Sequence, residues 1–153
     1  MYYSYTEFLG DLKILARKVE EDIGVPDAIV CIARGGMVMS HMLCLAWNLR
    51  SIYTLSAFSY SDKNVQSSLI IENMPDIKPD HKKILVVDEI VDSGKSLEEI
   101  LQKLRVRNPQ VSFYSAVIFQ KLNAKIFADF YVKDPSLEWI DFFWEVDMLE
   151  QRS

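Results

Sequence analysis

The chain has 153 residues, half of them apolar and a quarter charged, with five glycines, five prolines and a formal net charge of −5. That is the size and composition of one globular domain, 1–153, with a substantial core; it excludes a collagenous, low-complexity or disordered chain, and no apolar run reaches the roughly 18 residues of a membrane span. The acidic balance also argues against a general nucleic-acid binder, which needs a basic patch or stripe.

Residues 1–10 carry no basic stretch leading into an apolar one, so the expected location is cytoplasmic. Phe8, Leu12, Leu15, Ala16, Val19 and Ile23 recur at helical spacing and predict an amphipathic helix over 6–23, ended by Gly24 and Pro26. The continuous apolar run 28–33 reads as a parallel strand buried on both faces, stopping at Arg34-Gly35-Gly36. A second helix is predicted over 37–49, apolar at nearly every position and therefore either buried all round or shared with another subunit. Cys31 and Cys44 lie in apolar runs, where cysteine is more often a small buried hydrophobe than a disulfide or zinc ligand.

A strand is expected over 52–59. The polar segment 60–81 is long for a connection and suits a functional lid, with a short strand pair possible at 67–72. Ile84-Leu85-Val86-Val87 is a second buried strand; Leu97, Ile100, Leu101 and Leu104 mark a helix; and 111–119 and 130–132 supply further strands. Strands alternating with helices imply an α/β fold, a central mainly parallel sheet covered on both faces. After Lys133 no Lys or Arg occurs before Arg152, while Asp134, Glu138, Asp141, Glu145, Asp147 and Glu150 accumulate. An anionic ligand must then be held by a few local cations, backbone N–H groups or a divalent metal.

In open α/β sheets ligands bind beyond the carboxyl ends of the strands. There, Asp88-Glu89-Ile90-Val91-Asp92-Ser93-Gly94-Lys95-Ser96-Leu97 joins three carboxylates to a hydroxyl-glycine-hydroxyl turn that opens a helix. The turn offers orphan N–H donors and a helix dipole to a phosphate. Gly94-Lys95-Ser96 imitates the end of a nucleoside-triphosphatase P-loop, but that motif needs glycine where Glu89 stands. Ser96 and Glu99 could form a capping box, which would leave the three carboxylates unexplained.

Residues 84–97 resemble the phosphoribosyl pyrophosphate (PRPP) signature of the type I phosphoribosyltransferases. Ala33-Arg34-Gly35-Gly36 resembles the family's pyrophosphate loop, Ser59-Tyr60 its mobile catalytic loop, and Gln120-Lys121 with Glu138-Trp139-Ile140 the base-binding elements of its 6-oxopurine branch. The order and spacing are most similar to the short bacterial xanthine-guanine enzymes. The resemblance implies the type I phosphoribosyltransferase fold with a small C-terminal hood, mainly 121–150, and a mobile loop at about 59–73. It implies transfer of the 5-phosphoribosyl group of PRPP to guanine, xanthine or hypoxanthine with Mg2+ as cofactor.

The residue roles follow from the same resemblance. Asp88 and Glu89 would bind the ribose hydroxyls, with Glu89 also near the metal. Ser93, Gly94, Lys95 and Ser96 would hold the 5-phosphate, and Arg34, Gly35 and Gly36 the pyrophosphate, with a cis peptide accessible at Ala33–Arg34. Asp92 would exchange a proton with purine N7, Lys121 would donate to the 6-oxygen, Trp139 would stack on the base, and Ile140 would offer backbone groups to the 2-position. An ammonium facing an exocyclic amine finds no acceptor, so adenine would be refused. Aspartate is frequent in the family where Glu89 stands, and a small residue where Lys95 stands. The alternatives are a PRPP-binding regulator without turnover, for which the chain lacks a basic nucleic-acid-binding face, and an enzyme for another base. A homodimer or homotetramer using the apolar helix at 37–49 is expected.

Overall fold

In the computed structural model, which describes residues 1–60 and 68–150, the apolar runs and helical stripes assemble around one central sheet. The chain begins with β1 (Tyr2–Tyr3) and α1 (Tyr5–Ile23). A capping box starts α1: the Ser4 hydroxyl accepts from the Glu7 amide at 3.1 Å, and the Glu7 carboxylate accepts from the Ser4 amide at 3.0 Å. Two otherwise orphaned donors are thereby satisfied. The buried stripe is Phe8, Leu12, Leu15 and Val19, and Gly24 at φ 76 ends the helix, where a side chain would be strained.

Next come β2 (Ala28–Ala33), α2 (Met37–Ala46), β3 (Ile52–Tyr60), β4 (Ser68–Glu72), β5 (Lys83–Val87) and β6 (Ile90–Val91). The chain continues with α3 (Lys95–Arg107), β7 (Ser112–Ala116), β8 (Phe119–Gln120), β9 (Asp141–Phe142) and α4 (Phe143–Glu150). The central sheet has the order β4-β3-β2-β5-β7; β3, β2, β5 and β7 are parallel and β4 is an antiparallel edge. Alternate residues of the buried strands feed two cores. Ile29, Leu85 and Val87 pack with α1 and α2, whereas Val30, Ile32, Ile84 and Val86 pack with α3. This explains why β2 and β5 read as unbroken apolar runs.

From β2 the chain proceeds to β3 on one side and later from β5 to β7 on the other. The order reverses between β2 and β5, and their carboxyl ends open the crevice where such sheets take ligands. Across one side lies a smaller layer in which β1 pairs in parallel with β9, Tyr2 against Asp141 and Tyr3 against Phe142.

Several elements differ from expectation. The helix predicted to reach residue 49 ends at Ala46, because Asn48 adopts φ 54 and the Leu49 amide turns back to the Cys44 carbonyl at 2.8 Å. The strand expected over 111–119 is broken into β7 and β8: the Val117 amide donates to Phe130, and the Ile118 and Phe119 amides both donate to the Glu89 carbonyl. Instead of a strand at 130–132 there are two isolated parallel bridges, Ala116 with Phe130 and Phe119 with Lys133. The short β1, β6 and β9 and the final α4 were not anticipated; two residues give no periodicity to read. Ser59 and Tyr60 end β3 and pair with Leu69 and Ser68 of β4, so the flanks of the expected mobile loop form a strand pair. Its centre, 61–67, lies outside the described residues.

Candidate active site

The crevice is assembled from two strand ends. β2 ends in Ala33, and the chain turns through Arg34, Gly35 and Gly36 into α2, with a cis peptide between Ala33 and Arg34. β5 ends in Val87 and passes to Asp88 and Glu89. The two turns interlock: a Cβ built on Gly35 would fall 1.2 Å from Glu89 Oε2, and one on Gly36 would fall 2.3 Å from the Val87 carbonyl oxygen. Only backbone without side chains fits here, which is the physical reason for consecutive glycines after Arg34.

Asp88 and Glu89 share this cramped place. Burial pushes both carboxyl groups up, Asp88 to about 6 and Glu89 to about 9, with the Asp88 charge adding to the shift at Glu89. The Asp88 carboxylate accepts from the Glu89 amide at 2.9 Å. Glu145, near the start of α4, adds a smaller repulsion on Glu89; its own carboxyl is pushed up by partial desolvation, with the Arg34 charge opposing. An acidic pair held against its own repulsion stores a preference for a cation or for hydroxyl donors.

Beyond β6 the chain turns through Asp92, Ser93 and Gly94 into α3. Gly94, at φ 91, is the N-cap and supplies no side-chain cap. A Cβ there would also press to 2.4 Å on Ile126. Ser96 therefore lies inside the first turn, and the capping box with Glu99 is not formed. The Ser93 hydroxyl accepts from the Lys95 amide at 3.3 Å. Asp88, Asp92, Ser93, Gly94 and Ser96 line a small cavity of about 140 Å³ at this helix start. Its place at a helix N-terminus suits an anion.

Lys121 follows β8, and the β6·β8 ladder, continued by the Lys121 amide on the Val91 carbonyl at 3.0 Å, sets it beside Asp92. Lys121 Nζ lies 2.6 Å from Asp92 Oδ1. Gln120, fully buried, fixes the following loop: its Oε1 accepts from the Ala128 amide and its Nε2 donates to the Lys121 and Ile126 carbonyls. Trp139 and Ile140 directly precede β9, and the Trp139 carbonyl accepts from the Met1 amino group at 2.8 Å. The Trp139 side chain is 80% exposed, while the Ile140 side chain is buried in the core. Trp144 is the tryptophan that packs inside, stacked on Phe142 at 4.7 Å.

The structure thus gathers Arg34, Gly35, Gly36, Asp88 and Glu89 at one crevice and Asp92 to Ser96 with Lys121 next to it. Ser59 sits on the edge strand pair. Sequence reading missed Ile126, which abuts Gly94, and the N-terminal strand that holds β9. The Tyr2-Tyr3 pair before the Ser4 to Glu7 capping pattern was the available signal.

A family model described as the phosphoribosyl transferase domain matches residues 2–151. The xanthine-guanine phosphoribosyltransferase of Cereibacter sphaeroides is 29% identical over 150 residues, covering 95% of this chain and 86% of that one. The solved Helicobacter pylori xanthine-guanine-hypoxanthine phosphoribosyltransferase is 50% identical with a TM-score of 0.90, covering 99% of this chain and 97% of that one. The purine phosphoribosyltransferase from Pyrococcus horikoshii shares the fold at a TM-score of 0.79 and 24% identity, covering 95% of this chain and 93% of that one. With its strand-end site and these likenesses spanning nearly the whole sequence, the chain belongs to the phosphoribosyl transferase family, has the type I fold and is an enzyme of the phosphoribosyltransferase class.

Proposed function

We propose that this enzyme transfers the 5-phosphoribosyl group of PRPP to N9 of a 6-oxopurine, guanine, xanthine or hypoxanthine, releasing pyrophosphate and the nucleoside monophosphate. The observation that carries the reading is the 2.6 Å contact between Lys121 and Asp92. It sets a cationic donor beside an anionic acceptor, and a 6-oxopurine in its N7–H tautomer, whose N9 is free to attack, presents the complementary pair along one edge, O6 accepting beside N7–H donating. The names of the similar enzymes support the same substrate class.

In this reading the Ser93 to Ser96 turn holds the 5-phosphate on N–H groups and hydroxyls at the start of α3. Asp88 and Glu89 accept from the ribose hydroxyls. Arg34 and the Gly35 and Gly36 amides face the pyrophosphate, whose negative charge grows as its C–O bond to the anomeric carbon breaks, so their donors act most strongly in the transition state. Asp92 exchanges the purine N7 proton as N9 attacks the anomeric carbon, ordinary general acid–base work. Trp139 stacks on the base and the Ile140 backbone borders its 2-position.

Among the described residues no group of three or more His, Cys, Asp and Glu side chains is arranged to hold a metal alone. The Asp88 and Glu89 pair nevertheless fits Mg2+ that also takes oxygens from PRPP, because these are hard oxygen donors whose repulsion a cation relieves. When bound, the ion neutralises charge developing on the departing pyrophosphate.

We also infer that the enzyme is a homodimer or homotetramer in the cytoplasm. α2 buries Met39, Leu43 and Cys44 but leaves Leu45 69% exposed and Met37 half exposed, beside a cavity of about 530 Å³ walled also by Ile52 and Leu49. A second copy covering this face would remove the exposed apolar surface and brace the loop that precedes α2.

The test is product formation. PRPP, Mg2+ and guanine, xanthine or hypoxanthine should yield the nucleoside monophosphate and pyrophosphate, with loss of both products on chelation. Absence of product with all three bases overturns the reading.

A further inference from the structure

The two segments proposed to border the base belong to different small ladders, Lys121 following β8, which pairs with β6, and Trp139 preceding β9, which pairs with β1. Something must set the distance between them. Tyr3 lies there, 1% exposed. Its ring meets Phe119, two residues before Lys121, edge-on at 4.9 Å, and Phe142, three residues after Trp139, at 5.8 Å.

An aromatic cluster of this kind is normally filled by phenylalanine, since a buried hydroxyl needs a partner. Here the partner is built in. The Tyr3 hydroxyl donates to Asp11 Oδ2 at 2.5 Å. Asp11 is only 8% exposed on the buried face of α1, and its charge is met by Lys133 Nζ at 2.8 Å on the same oxygen. The Lys133 ammonium also lies 5.7 Å from the centre of the Tyr3 ring. Lys133 in turn bridges to Phe119, and its carbonyl accepts from the Gln120 amide at 2.9 Å. Burial and Asp11 push the Tyr3 hydroxyl far above its ordinary range, so it remains the donor.

We propose that the Tyr3 hydroxyl, the Asp11 carboxylate and the Lys133 ammonium act as a positioning triad that fixes the gap between the Lys121 and Trp139 sides of the base pocket. Replacing a buried ionic cluster with apolar groups of similar volume is often neutral or stabilising. What this triad adds over such a core is direction: an edge-on ring can rotate or slide, whereas a ring anchored by its hydroxyl cannot. The three residues touch no reacting atom and act through Phe119 and Phe142. The inference rests on the 6-oxopurine reading above.

Its test is steady-state kinetics with hypoxanthine and PRPP on Tyr3→Phe, Lys133→Met and Asp11→Asn, with melting temperatures alongside. Tyr3→Phe and Lys133→Met are expected to raise KM for hypoxanthine about five- to tenfold, the scale of one lost buried hydrogen bond, with KM for PRPP and kcat within about twofold. Asp11→Asn keeps an acceptor for the hydroxyl and should show a smaller rise. An unchanged hypoxanthine KM in folded Tyr3→Phe, or equal rises in both KM values, overturns the triad. Should Tyr3→Phe fail to fold, the half-exposed Lys133→Met decides by the same criteria. A wild-type enzyme inactive with every 6-oxopurine overturns the substrate reading itself and with it this inference; an active wild type with kinetically normal variants overturns this inference alone.

Discussion

The two halves of the site are built differently. The side proposed to take PRPP is local: Asp88 to Ser96 is one continuous passage from a buried strand into a helix, closed by a second short turn, Arg34 to Gly36, that fits against it through missing side chains. The side proposed to take the base is composite. Lys121, Trp139 and Ile140 come from segments joined by a buried glutamine, two short ladders and the start of the chain. A local site is rigid because its neighbours in sequence are its neighbours in space, whereas a composite one depends on contacts distributed across the fold. Substitutions on the first side should therefore strike PRPP handling and chemistry, and those on the second should change base selection.

The largest effect is expected at the seam. Asp92→Asn keeps the shape but cannot accept the N7 proton, so turnover should fall about 100- to 10,000-fold while PRPP still binds. Single-turnover rates beside PRPP affinity check this, and near-normal turnover would exclude Asp92 as the base. Next is Lys121→Met, which removes the charged donor proposed for the 6-oxygen. A loss of about 1.5–3 kcal/mol, roughly ten- to a hundredfold in kcat/KM for hypoxanthine, is expected with PRPP affinity retained.

Gly35→Ala probes the opposite side. The new methyl would overlap the Glu89 carboxylate, so either the loop or Glu89 must move, at a cost of about 1–3 kcal/mol. Weaker PRPP binding with unaltered selection among bases is the outcome that separates the two halves. Calorimetric titration with PRPP and Mg2+ measures it.

The smallest effect is a slope. Glu89 binds a proton more tightly in the folded protein, at about 9, than its ordinary 4.5 when unfolded. Between these values the folded state holds the extra proton, so its contribution to stability is complete below 4.5 and is lost as pH rises toward 9. Melting temperatures of the ligand-free protein should decline over that range. Glu89→Gln, which keeps a neutral group there, should flatten the decline; an equally steep slope in that variant would assign it to other groups.

The same contrast explains what the sequence could reveal. The parallel sheet, the long helices and the strand-to-helix passage 88–96 were legible because continuous apolar runs and a nine-residue turn carry their own pattern. Helix ends were less so: Asn48 at positive φ stops α2 early, a backbone choice that periodicity does not encode. The smaller layer was hidden. β1, β6, β8 and β9 are two residues each and exist only because distant partners pair with them, and 130–132, apolar enough for a strand, forms only isolated bridges. Trp139 and Trp144 look alike in sequence, and only the fold makes one exposed and the other packed.

We propose that Lys121 beside Asp92 reads the edge of a 6-oxopurine. Hypoxanthine and adenine differ at position 6, an oxygen acceptor against an amine donor, and at the adjoining N1, which carries a hydrogen only in hypoxanthine. Pyrophosphate release from PRPP with each base, at saturating Mg2+, gives the most direct measure. A kcat/KM ratio of about a thousandfold or more in favour of hypoxanthine is expected, the discrimination of a site built around a specific hydrogen bond. Comparable rates with adenine would contradict it.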